Sequence, residues 1–169
     1  MTGRNSRRKR FAEVRDLLGT VHIETSSNNY LDIPTSVRLG VAKKVYEVLE
    51  QNDWFWCHFY RVLGYHLELE GKTAEAALAR RDALTIAEKL LADPENKPMQ
   101  KQLLLIAGAM RHFLEDNNGA LKNFREAIPL EFNPPDWKEE DARGTNAYMT
   151  ELMQEYIKKI EAGEPIPRN

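Results

Sequence analysis

Apolar and polar positions follow one another with a period near 3.6 through most of this chain, broken often enough to mark separate helices. Val37, Val41, Val45, Val48 and Leu49 form a stripe from Pro34, which suits a first helical turn, to about Gln51. Tyr60, Leu63, Gly64 and Leu67 lie at i, i+3, i+4 and i+7 and predict a helix over 54–70, capped by Asp53 and stopped by Gly71. A narrow small-residue face of Ala76, Ala79, Ala83, Ile86, Ala87 and Leu90 predicts a helix over 74–91, capped by Thr73. Asp93-Pro94-Glu95-Asn96-Lys97-Pro98 reads as a linker. Leu103, Leu104, Ile106, Ala107, Met110 and Leu114 predict 98–115, and Ala120, Phe124, Ala127 and Ile128 predict 119–128, ended by Pro129. After a rigid Asn133-Pro134-Pro135-Asp136 loop, with Trp137 as a surface anchor, a last helix starts near Asp141 or Thr145. Its Tyr148, Met149, Leu152, Met153, Tyr156, Ile157 and Ile160 make a single broad stripe ending before Gly163. Upstream, Phe11, Val14, Leu17, Leu18 and Val21 predict a short helix near 6–20, followed by a loop at 25–29. No stretch alternates with a strand period, so the expected fold class is all-α.

Three landmarks keep one register. Gly64 to Gly108, Ala76 to Ala120 and Ala83 to Ala127 are each 44 positions apart. A glycine inside a helix costs about 1 kcal/mol against alanine, so each implies the close approach of a neighbouring helix. Short turns make the paired helices antiparallel neighbours. The expected organisation is a basic flexible arm (1–10), one helical domain (11–162) and a tail (163–169). Within the domain lie hairpins at about 54–92 and 98–129, a half-repeat at 34–52, and a capping helix at 141–162 over the open face of the last hairpin.

The motif Tyr60-x-x-Leu63-Gly64 followed by Ala76 and Ala83, and Gly108 followed by Ala120, Phe124 and Ala127, resembles the tetratricopeptide repeat (TPR). Departures are visible: Arg80 stands at the aromatic position of the first copy, Arg111 at an apolar position of the second, and Ala107 in place of leucine. The closing proline is absent at Glu88 and Phe132. The resemblance implies a short right-handed solenoid. It further implies a concave groove lined by the first helix of each hairpin, which at matching positions gives His58, Arg61, Tyr65 and Glu68, then Gln102, Leu105, Ala109, His112 and Phe113. A second likeness is to the TPR-like C-terminal part of an uncharacterised bacterial family that carries a cysteine-rich zinc module. That module's cysteines are missing here, so its metal site does not carry over.

Composition narrows the classes. With 42% hydrophobic and 30% charged residues the chain is that of a globular protein, and no apolar run is long enough for a membrane helix. The lone Cys57 excludes an internal disulfide and fits a reducing cytoplasm. The first ten residues hold five basic side chains and no acid; without them the net charge of −2 falls to −7. A body that acidic repels nucleic acid, leaving only the arm as a phosphate-gripping segment.

Candidate chemistry is sparse. His22, His58, His66 and His112 show no metal-protease spacing, and no phosphate loop or nucleophile elbow is present. His112 and Glu115, at i and i+3, are a lone ligand-like pair, of a kind that is more often a surface hydrogen bond than a metal site. Cys57, in an aromatic helix, reads as a buried thiol. The Arg80-Arg81-Asp82 run reads as a solvated face. Trp54, Phe55 and Trp56 cannot all face one core, so one is a candidate interface anchor unless it packs against helix 34–52. The expectation is a non-catalytic scaffold, without cofactor or metal, that binds a protein or peptide in its groove through Arg61 as a carboxylate receiver and Tyr65 and Phe113 as anchors. Alternatives are self-filling of the groove by the N-terminal segment or final helix, and a structural subunit that self-associates, as a homodimer, through its aromatic helix or open repeat end.

Overall fold

The 44-residue register is visible first in how two helices end. The computed structural model describes residues 34–168; the expected arm at 1–10, helix at 6–20 and loop at 25–29, and with them the N-terminal segment offered as a filler of the groove, lie outside the described residues. Helices α1 (Thr35–Val48), α2 (Asp53–Leu69) and α3 (Thr73–Ala92) are followed by a 3-10 helix (Pro94–Met99), then α4 (Gln100–Phe113), α5 (Asn117–Ala127) and α6 (Glu139–Glu161). Helix α2 stops when Gly71 takes φ +75°, letting the Lys72 N–H reach Leu67 O at 2.8 Å and the Gly71 N–H reach Glu68 O at 2.9 Å. Forty-four residues on, Glu115 takes φ 67° at the end of α4. There the Asp116 and Glu115 N–H groups reach Arg111 O and His112 O, both at 2.9 Å. These are the same double-bonded helix stop, made once with glycine and once without.

Each stop reverses the chain. Asp53 pairs with Lys89 at 2.8 Å, the Cys57 thiol meets Ala83 O at 3.6 Å, and Gly64 faces Ala76 and Arg80. Residue numbers therefore rise along α2 as they fall along α3. A methyl group on Gly64 would lie 3.1 Å from Arg80 Cγ, and one on Gly108 would lie 2.5 Å from the Phe124 ring. Both glycines thus sit at helix crossings. Successive helices pack in chain order, α2 on α3, α3 on α4, α4 on α5 and α5 on α6. The architecture is all-α, with no strand among the described residues, and no described helix is long and apolar enough to cross a membrane.

Buried residues form a run of clusters along this stack. Leu67, Ala76 and Ala79 lie inside the first hairpin. Cys57, Ala83, Ala87, Leu103 and Met110 join it to the second. Phe124, Met149, Met153, Tyr156 and Ile160 seat α6 on the second hairpin. The broad stripe of α6 is only partly buried: Tyr148 is 63% exposed.

Several expectations are corrected. Asn52, not Asp53, caps α2, accepting from the Phe55 N–H at 2.9 Å. Thr73 is inside α3, and Lys72 at the cap position supplies no side-chain bond. The α1 stripe is not a core face: Val37 and Leu49 are 46% and 41% exposed, because among the described residues only α2 packs substantially on α1. Tyr46 nevertheless docks edge-on to Phe55, with ring centroids 4.6 Å apart, so α1 uses the aromatic surface of α2. The proline-rich linker at 93–98 is ordered as the 3-10 helix, with Asn96 donating to Leu90 O at 3.0 Å. The final tail is anchored, since Ile166 is buried against the core of the second hairpin. Arg80, expected on a solvated face, is buried, whereas Arg81 and Asp82 are exposed.

Candidate functional site

Helices α2, α4 and α6 run side by side in one direction. Lys101 near the start of α4 meets Asn146 and Thr150 early in α6, while His112 near its end meets Ile166 just beyond α6. Between the three lies a cleft of about 530 Å³. Its floor is the α4 face of Gln102, Leu105, Ile106, Ala109, Met110 and Phe113. One wall is His58, Arg61, Val62, Tyr65 and His66 of α2, and the other is Thr145, Tyr148, Met149, Leu152 and Tyr156 of α6. Arg80 lies at the side, and Pro167 and Arg168 of the tail lie at the end where the helices finish. A smaller hollow beside the 3-10 helix, at Leu91–Gln100, touches none of these residues.

Six of the expected groove positions, His58, Arg61, Tyr65, Gln102, Leu105 and Phe113, line this cleft together with Ala109. Glu68 and His112 do not line it; both hold its closed end. Glu68 accepts from Arg80 and from Arg168. His112 Nδ1 lies 2.7 Å from Asn117 Oδ1, and its Nε2 accepts from the Ile166 N–H at 3.4 Å. The tail therefore runs from α6 past α4 to α2 and straps that end. The final helix forms a wall without filling the cleft.

Electrostatics separate three arginines. The guanidinium of Arg80 lies 4.6 Å from the centre of the Phe113 ring and pairs with Glu68. Arg168 pairs with the same carboxylate. Arg61 has no ion pair among the described residues, and its buried Nε has no hydrogen-bond partner. Burial pushes the Arg61 pKa below its ordinary value, opposed by the nearby Cys57 and Tyr156. Burial likewise lowers His58, helped by the positive charge of Arg61. Across the cleft, burial raises the Tyr156 hydroxyl, with Tyr148 and Glu155 adding to it and Arg61 opposing. Gln102 Oε1 is a second buried atom without a partner. Among the described residues no Asp or Glu side chain lines the cleft.

The α6 wall and Lys101 were not anticipated. Lys101 is 2% exposed and donates to Asn146 Oδ1 and Thr150 Oγ1, both at 2.7 Å, and to Ile128 O at 3.3 Å. Burial lowers its pKa. It ties α4, α5 and α6 at one point. Cys57, 1% exposed, has its pKa raised by burial, with Arg61 opposing, which is the behaviour of an inert thiol. Among the described residues no three His, Cys, Asp or Glu side chains gather as a metal set.

No family model, curated protein or solved structure matches this chain.

Proposed function

We propose that this chain is a non-catalytic binding module, a short TPR-like solenoid of two elongated hairpins capped by α6, whose cleft holds an extended segment of a partner protein. The matched helix stops at Gly71 and Glu115 support the repeat reading, as do the glycine crossings at Gly64 and Gly108, each pair in the 44-residue register.

The observation that carries the binding reading is the cleft itself. The floor from Gln102 to Phe113 is about 16 Å long at 1.5 Å per helical residue, which accommodates roughly five residues of extended chain. The walls and floor offer Tyr65, Tyr148 and Phe113 as anchors that lose little side-chain entropy on contact, and Arg61 as a charge without an ion pair among the described residues.

The test is selection of short peptides from a display library on the full chain, followed by calorimetry. A selected peptide is expected to lose at least about tenfold in affinity, or about 1.4 kcal/mol, when Arg61→Glu is combined with Tyr65→Ala, while helical circular dichroism is unchanged. Unchanged affinity in that double variant would exclude the cleft as the binding surface.

A further inference from the structure

The cleft also has a chemistry that a polypeptide does not fully use. Arg80 and Arg168 share the Glu68 carboxylate, so both are already paired, although two cations on one acid leave a positive charge at that end of the cleft. Arg61 lines the same cleft as Leu105, Ala109 and Leu152; among the described residues its buried Nε has no hydrogen-bond partner and no acid joins the lining. The side chain is half-buried with its Nε shielded from water, and a shielded polar atom without a partner is costly to the folded state. Retaining such an arginine in an apolar cleft is the arrangement of a site awaiting an anion.

Two further features favour a small ligand. The strap from Ile166 to Arg168 crosses the cleft where the helices end, which favours a short occupant. An extended polypeptide also brings a donor and an acceptor with nearly every residue, whereas the lining is mostly apolar. A molecule with a single anionic head and an apolar body makes no such demand, and the cleft volume of about 530 Å³ lies within the usual range for small-molecule sites.

We propose that the cleft binds a small amphipathic carboxylate. The carboxylate takes the Arg61 guanidinium in a charge-assisted, forked pair. The apolar body lies along Leu105, Ala109 and Leu152. This goes beyond the peptide reading and stands without it.

The experiment is titration calorimetry of the full chain with octanoate, octanol and octylamine, which share one apolar body and differ in head charge. Octanoate is expected to bind at least about tenfold more tightly than octanol, with octylamine weakest. Arg61→Met, which removes the charge and keeps an unbranched apolar side chain, is expected to bring octanoate down to the affinity of octanol, with octanol binding and circular dichroism unchanged. Arg61→Lys, which keeps the charge, is expected to retain a preference for octanoate. Equal affinity for all three probes, binding of none, or an octanoate preference that survives Arg61→Met would overturn the proposal. A selected peptide that binds while octanoate does not would overturn it and leave the peptide reading standing. Octanoate binding without any selectable peptide would do the reverse.

Discussion

The two hairpins fill the same slot with opposite chemistry. Sixteen residues after the glycine of each first helix, the second hairpin has Phe124 and the first has Arg80. Phe124 is fully buried and its ring lies 5.7 Å from that of Tyr156. Arg80 is nearly as buried, but its charge has to be met, and it is met by Glu68 on the paired helix and by the face of Phe113 on the next hairpin. The aromatic slot is closed by shape. The arginine slot is closed by partners, and those partners link the first hairpin to the second and to the tail. An aromatic in this slot joins its neighbours by packing on Gly108 and Tyr156, whereas a cation joins them through an ion pair and a ring face.

The comparison can be broken most forcefully at the glycines. Gly108→Ala would drive a methyl group into a rigid ring at 2.5 Å, and a loss of about 1–3 kcal/mol is expected from overpacking. Gly64→Ala meets the flexible Arg80 stem at 3.1 Å, and the helix-propensity gain of about 1 kcal/mol should offset most of that strain. Urea denaturation of the two variants checks this, and equal losses would mean that the slots do not differ in rigidity. A smaller effect is expected at the helix stops. Glu115→Gly should stabilise the chain by about 1 kcal/mol by relieving a left-handed conformation, and Gly71→Ala should destabilise it by a similar amount. Thermal melts that leave both variants unchanged would refute the shared stop.

The smallest expected effect separates α1 from both hairpins. The Ser36 hydroxyl and N–H donate to Glu70, the latter at 3.0 Å, and together with Lys72 they hold its pKa down to about 2. A carboxylate at a helix N-terminus is favourable. Because the folded pKa is depressed, its contribution is complete above the unfolded value of 4.5 and is lost as pH falls through about 2. The second hairpin has Leu114 at the matching position. Acid should therefore release Ser36, seen as movement of its amide resonance, and Glu70→Gln should reproduce that movement at neutral pH. An amide that stays in place in both cases would remove Glu70 as the α1 anchor.

Much of the fold was legible because helical periodicity and the glycine, asparagine and proline breaks are local signals. Residues of the cleft floor and the α2 wall were named by the resemblance to the tetratricopeptide repeat, which the 44-residue register made visible. The α6 wall was not, since a stripe as broad as Tyr148 to Ile160 serves two surfaces at once, and pattern alone does not divide it. Excess width was the available clue. Arg80 was misread because its burial depends on Glu68, twelve positions earlier on another helix. Lys101 gave no signal, as its side-chain partners on α6 lie 45 and 49 positions away. The tail was unreadable for a related reason: one isoleucine between two prolines has no periodicity.

Lys101 carries a consequence for adaptation. It lines no part of the cleft, yet its bonds to Asn146 and Thr150 fix how far α6 stands from α4. The gap between those helices is therefore adjustable from behind. Substitutions at 146 and 150 can widen or narrow the opening without altering any side chain that lines it, so the shape of the cleft can drift through residues outside it.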